Sequence, residues 1–250
     1  FVVEWDGTGF GTVSEGDSRY YRVINMPDRG PVLLGQKGRR EDIFVPGVYE
    51  MAWRNGEYES EQRLTLPKRV NIFGFAIGDV MNNGEQTIAV YDAEDHILLY
   101  NQSGEEQWKS ADKYGGSMNY LEFSMHGSNA DDMMDRLYLP QRIFIGDVDG
   151  DGKNEVIVSS NKGALGRLMS HLRRFSSGQI ESLAWNDLGL ALNRHTPKTS
   201  GYISDYAVGD FDHDGRNEVV VTLVGRQGTI VTASRSSIIG YEFPKPSSAQ

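Results

Sequence analysis

Two near-identical stretches constrain this chain more than anything else in it: "GDVDGDGKNEVIV" at 146–158 and "GDFDHDGRNEVVV" at 209–221. A weaker third copy, "GDVMNNGEQTIAV", occupies 78–90. The Gly-Asp pairs begin at 78, 146 and 209, so the units recur at 68 and 63 residues. Self-similarity at such a spacing marks a repeat architecture, in which each unit buries its apolar faces against its neighbours. Each copy follows a short apolar run, "VNIFGFAI" (70–77), "QRIFI" (141–145) or "YISDYAV" (202–208). Each leads into a β-branched one, "TIAVYD" (87–92), "EVIVSS" (155–160) or "EVVVTLV" (218–224). Runs of Val, Ile, Phe and Tyr bounded by Gly and Asp read as strands, so each unit opens as strand, acidic loop, strand.

Further hairpin signals follow inside the units. "HILLYNQSGEEQWKS" (96–110) reads as strand, Asn-Gln-Ser-Gly turn, strand, and "LRRFSSGQIESLAW" (172–185) reads the same way around Ser-Ser-Gly. "VYEMAWRNGEYESEQRLTL" (48–66) has an Asn-Gly turn, and "FVVEWDGTGFGTV" (1–13) an Asp-Gly turn. Four strands in each unit is the rhythm of a propeller blade. The 29 glycines and 10% aromatic content suit many short strands joined by tight turns. The fold class expected is therefore all-β, a β-propeller of four-stranded blades in one domain over 1–250, with acidic hairpin loops. Its blades fall at 20–67, 70–112, 140–190 and 202–244, with at most a helical turn or two within 163–174. In the first blade "MPDRGPVLLGQKG" (26–38) stands where an acidic loop would. The hairpin at 1–13 either completes the last blade or belongs to an adjoining one. Because exposed strand edges invite aggregation, a piece of a larger propeller is the favoured expectation. The start at Phe1 fits a processed or truncated product.

The acidic loops carry the chemistry. Asp147, Asp149 and Asp151 take positions one, three and five, and alternation in a curled loop turns three carboxylates toward one centre. Gly152 at position six permits the sharp return, the Lys153 carbonyl takes position seven, and Glu155 at position nine adds a fourth carboxylate. The second copy offers Asp210, Asp212, Asp214, the Arg216 carbonyl and Glu218. An all-oxygen set of this kind suits a hard cation with six to eight ligands, and calcium best; magnesium demands tighter octahedral geometry. Two ions are expected. The likeness to an EF-hand ends at position six, because position twelve is Val158 or Val221 and the exit is a strand. In the third copy only Asp79 remains of the four acids, with Met81, Asn83 and Thr87 at the other places; little or no calcium is expected there. Asp, Asn and Gly also dominate metal-free turns. A repeated pattern with the same acid at position nine favours the metal, since four clustered carboxylates repel one another without a cation. A calcium in a hairpin is more often structural than catalytic.

These residues resemble a known family. "GDVDGDGKNEVIV" and "GDFDHDGRNEVVV" look like the calcium-binding loops of FG-GAP/VCBS repeats, found in integrin α-subunit propellers and in many bacterial surface or exported proteins. The likeness is strong over 70–224 and looser over 1–69. "NIFGFAIGD", "YDAEDHILLY", "KYGGS", "RRFSSGQI" and "SGYISDYAVGD" are most similar to bacterial VCBS-repeat proteins of periplasmic or lipid-anchored type. The resemblance implies a β-propeller with calcium in its hairpin loops and a non-enzymatic binding or scaffold role. It says little about the partner, and Met81 departs from the family pattern.

Other chemistry is thinly represented. Net charge is -10 and the 25 Lys and Arg are scattered, which argues against nucleic acid. With no cysteine there is no disulfide, thiolate zinc or cysteine nucleophile, and no apolar run is long enough for a transmembrane helix. The histidines at 96, 126, 171, 195 and 213 form no metal pair; His213, at an even loop position, is expected to point outward. "GPVLLGQK" (30–37) has Gln36 in place of a phosphate-loop lysine, and "GTGFG" (7–11) lacks a dinucleotide fingerprint's spacing. Asn101 begins a lone Asn-Gln-Ser sequon. Two connections exceed what a blade needs. One is 111–141, with Tyr114, Tyr120, Phe123 and four methionines; the other is 161–178, with Lys162, Arg167, Arg173 and Arg174. Such loops are usual places for partner contacts, although Met and aromatic residues in them are more often local packing than a site. The function expected is a non-enzymatic calcium-binding module that contacts a protein or glycan outside the cytoplasm: periplasmic, cell-surface or secreted. The alternative is a calcium-dependent polysaccharide lyase or hydrolase on a propeller scaffold.

Overall fold

The computed structural model describes residues 2–16, 18–27, 29–39, 42–124, 134–163, 173–225 and 235–243. The fold is all-β and of the propeller type, built from antiparallel meander sheets, with no helix among the described residues. The chain divides into two compact units: Phe1–Ile72 with Phe123–Asp135, and Phe73–Glu122 with Arg136–Gln250.

In the first unit β1 (Val2–Trp5) and β2 (Phe10–Ser14) form a two-stranded sheet of their own, so the N-terminal hairpin does not complete the last blade. Asp6 holds their turn, accepting the Thr8 and Gly9 amides at 2.8 and 2.9 Å. A four-stranded meander follows: β3 (Arg19–Met26), β4 (Gly30–Lys37), β5 (Val48–Arg54) and β6 (Glu57–Arg63). Asn55 and Gly56, at φ 52° and 85°, make the two-residue turn between β5 and β6 that Asn-Gly favours. Between β3 and β4 only a short turn stands in place of an acidic loop. Leu34, Gln36 and Val48 are buried on one side of this sheet.

The second unit holds three blade sheets. The first is β7 (Phe75–Gly78), β8 (Thr87–Tyr91), β9 (His96–Tyr100) and β10 (Glu106–Lys113). After it β11 (Tyr120–Ser124) and β12 (Met134–Tyr138) pair as a hairpin, so the long connection at 111–141 has structure of its own. Tyr120 packs edge-on against Tyr138, with Arg136 over its ring. The next sheet is β13 (Ile143–Gly146), β14 (Glu155–Lys162), β15 (Ser177–Trp185) and β16 (Leu190–His195), with β17 (Thr199–Ser200) on the start of β15. The last is β18 (Tyr202–Gly209), β19 (Glu218–Val224) and β20 (Ser236–Glu242).

Two expectations are corrected here. The final sheet has three strands among the described residues, not four. The described part of the expected hairpin at 172–185 is not one, because Ser177 and Gly178 lie inside β15, paired with Lys162 and Asn161. Gly178 is there for close approach: a Cβ would stand 2.6 Å from Asn161 Oδ1 and 2.9 Å from Ile203 Cγ1. Asn161 uses that space, donating to the Gly116 and Ile203 carbonyls and accepting the Ile203 amide. The expected helical turn at 163–174 falls mostly outside the described residues, as do Met125, His126, Met133, Arg167 and His171.

The runs after the acidic loops are apolar on both faces because the sheets stack face to face. Along β14, Val156 and Val158 enter a core with Ala89, Ile97 and Leu99, while Ile157 enters another with Ile203, Val219 and Val221. Each of the Val, Ile and Leu side chains among them, withdrawn from water, contributes about 1.5–3 kcal/mol. Stacking thus holds the loop-bearing ends of successive sheets in fixed relation.

Candidate metal centre

The three loops share one frame. In each, the strand residue before the loop pairs with position nine: Gly78 with Thr87, Gly146 with Glu155, and Gly209 with Glu218. The chain turns through positive φ at position four (Asn82 56°, Gly150 73°, His213 64°) and at position six (Gly84 85°, Gly152 87°, Gly215 87°). Two left-handed residues separated by one ordinary residue curl the segment, and glycine at position six takes that conformation without strain. The side chain at position one braces the curl by accepting backbone amides. Asp147 takes those of Gly150 and Gly152 at 2.6 and 2.9 Å, Asp210 that of Gly215 at 3.1 Å, and Asp79 those of Asn83 and Gly84 at 3.1 and 2.8 Å.

This curl brings the acids together. Ligand oxygens of Asp210, Asp212, Asp214 and Glu218 all lie within 4.8 Å of one another, as do those of Asp147, Asp149 and Asp151. Each cluster could hold a metal ion. Oxygens at roughly 2.3–2.6 Å from a calcium stand at most about 5 Å apart, so the spacing suits such an ion. Lys153 and Arg216 occupy position seven, where their amides donate to Asp151 and Asp214 at 2.8 and 2.9 Å. Position nine is buried in both loops and gives one oxygen to the position-two amide: Val148 to Glu155 at 3.1 Å and Phe211 to Glu218 at 2.7 Å. Among the described residues the remaining Glu218 oxygen, Oε1, is buried without a hydrogen-bond partner, and so is Asp149 Oδ1. A buried acceptor with no donor is unfavourable unless something else fills the place, and a cation does so.

The two loops are not equivalent. Arg194 on β16 donates through Nε to Asp149 Oδ2 at 3.1 Å, an ion pair in which the aspartate is only 2% exposed. Glu155 does not join the tight group of three aspartates. Burial pushes its carboxyl up to about 7, the neighbouring Asp149, Asp151 and Asp147 push the same way, and the Val148 N–H opposes them. The loop at 210–218 has all four acids gathered, and no arginine from another strand pairs with them among the described residues. His213 is exposed, as expected of an even position. In the loop at 79–87, Met81 and Thr87 replace two acids and Asn83 caps the Glu85 amide at 2.9 Å. Its internal hydrogen bonds hold the curl with one carboxylate.

Two features escaped the sequence reading. Arg194 lies 45 residues from Asp149 and carried no local signal. The other is the amide at position eight, visible in the sequence as Gln86, Asn154 and Asn217. Asn154 donates to the Asp79 carbonyl at 2.9 Å, and Asn217 reaches the Asp147 carbonyl at 3.5 Å. Asn82 accepts the Asn154 amide at 2.6 Å and donates to its carbonyl at 3.1 Å. The second and third loops along the chain are thus each tied to the one before.

Comparison with protein-family models and with curated proteins finds no match for this chain. No helix among the described residues is long and apolar enough to cross a membrane.

Proposed function

We propose that the chain is a calcium-binding β-propeller of the FG-GAP/VCBS type, holding one ion in each of the loops 147–155 and 210–218. It acts as a non-enzymatic scaffold that presents its surface to a protein or glycan outside the cytoplasm. The observation that carries the reading is the gathered set Asp210, Asp212, Asp214 and Glu218, with Glu218 Oε1 buried and unpartnered among the described residues. Calcium is favoured because the donors are all oxygen and more numerous than magnesium usually recruits from protein. A structural role is favoured because the loops repeat at the same place in successive blades, whereas a reaction centre is needed once. Loops of this kind bind with dissociation constants of about 10⁻⁴–10⁻³ M in extracellular modules, which suits a calcium-rich compartment.

Calorimetric titration tests the reading. Wild type is expected to bind two calcium ions, and Asp149→Ala and Asp212→Ala one each. Chelation is expected to lower the melting temperature and calcium to restore it. At a calcium concentration of about 100 times the dissociation constant, each site stabilises by about 2.7 kcal/mol. No heat of binding at millimolar calcium would refute the assignment. Turnover of any polysaccharide, followed by reducing ends or unsaturated products, would refute the non-enzymatic role.

A further inference from the structure

At the end of the first-unit sheet opposite the β3–β4 turn, the connections after β4 and β6 enclose a cavity of about 510 Å³. This volume lies within the range of small-molecule sites, about 300–1,000 Å³. Its walls are pinned from inside. The Gln36 side chain, 1% exposed, donates to the Val45 carbonyl at 3.0 Å and accepts the Ile72 amide at 2.9 Å, joining the two connections. Backbone bonds from Val45 to Lys37, Leu64 to Val48 and Val70 to Pro67 hold the same segments. The cavity is therefore formed before any ligand arrives.

Its lining has two parts. Phe44, Val48, Leu64, Leu66 and Val70, with two prolines, supply an apolar surface. Arg63, Lys68 and Arg69 supply the only charged groups, and no carboxylate lines the cavity among the described residues. None of these three side chains has a carboxylate partner among the described residues, although acids outnumber bases 35 to 25 in the chain. Three unneutralised cations around one preformed apolar cavity, in a protein of charge -10, form a local reversal of sign. We propose that this cavity binds a small organic anion, with carboxylate, sulfate or phosphate groups on an apolar or ring body. The cations meet the anionic groups and Phe44 with the aliphatic side chains meets the body. Arg63 and Arg69 offer the planar donor forks that suit such oxyanions. The site shares no residue with the acidic loops and does not depend on calcium.

The probe is naphthalene disulfonate, a dianion on an apolar body that does not sequester calcium, compared with neutral naphthol by calorimetric titration in calcium-containing buffer. Wild type is expected to bind the disulfonate at least about tenfold more tightly than naphthol, with the preference shrinking as salt rises. The double variant Arg63→Gln/Lys68→Gln is expected to weaken disulfonate binding roughly tenfold to a hundredfold, through loss of two charge-assisted contacts. Arg69→Gly, which suits the φ of 69° at that position, is expected to weaken it alone. Lys198→Gln, a cation elsewhere on the chain, should leave binding unchanged. Equal affinity for naphthol and disulfonate, unchanged binding in the double variant with its melting temperature intact, or equal weakening by Lys198→Gln would each overturn the proposal. Calcium titration of the same variants reads the acidic loops independently, so failure of one assignment does not mimic failure of the other.

Discussion

Replacing Arg194 with glutamine should move two properties of the 147–155 loop in opposite directions. In calcium-free protein the guanidinium is the only cation paired with Asp149 among the described residues, through a 3.1 Å contact, and the carboxylate is 2% exposed. Removing one partner of a buried pair typically costs 3–5 kcal/mol; Arg194 is itself 24% exposed, so about 2–3 kcal/mol is expected. In calcium the same contact is a competitor, because the ion needs the carboxylate that the arginine holds. A charge-assisted hydrogen bond contributes about 1.5–3 kcal/mol, which converts to a gain of roughly tenfold to a hundredfold in calcium affinity. Asp212→Ala serves as the background, since it disables the other loop. Calorimetry then reads one site, and urea unfolding in chelator reads the calcium-free stability. The expected result is lower stability in chelator and tighter calcium binding. If Arg194→Gln binds calcium no more tightly than its parent, Arg194 does not compete with the ion for Asp149.

Three further outcomes follow from the geometry. Burial raises the Asp92 carboxyl, but the Lys109 ammonium at 2.7 Å and N–H donors from His96 and Glu94 outweigh it and hold the group at about 2, below the usual 3.8. A lowered pKa gives stability that is present above the ordinary value and lost as pH falls through the folded one. Asp92→Asn should therefore cost about 2 kcal/mol near neutrality in urea unfolding, a gap that closes between about pH 4 and pH 2; a gap unchanged at low pH would contradict this. Asn154→Ala removes the 2.9 Å bond to the Asp79 carbonyl and should destabilise by about 1 kcal/mol in the same assay. Gly178→Ala forces a methyl against Asn161 and Ile203 and should cost about 1–3 kcal/mol; a neutral result would mean that Asn161 can move aside.

Much of the architecture was legible because its signals are local. Strand, acidic loop and strand follow from β-branched runs, an alternating Asp pattern and glycine at position six, and the structure places all three loops on one backbone frame. The Ser-Ser-Gly segment misled for the opposite reason. Glycine there serves contact with Asn161 and Ile203, and a lone sequence does not distinguish a glycine that turns from one that makes room. The first-unit cavity was equally hidden, because Arg63, Lys68 and Arg69 read as three scattered cations.

By itself the sequence determined the fold class, the positions of the acidic loops and which acids each loop could present, because hydrophobic period and loop curl depend on near neighbours. Only the tertiary structure decided that Glu155 stands apart from its three aspartates while Glu218 joins them. It also decided that Arg194 pairs with Asp149 and that the second and third loops along the chain each lean on the one before. Those outcomes depend on which strands lie side by side and on how much water their packing removes, and residues far apart in the chain meet only after the blades have stacked.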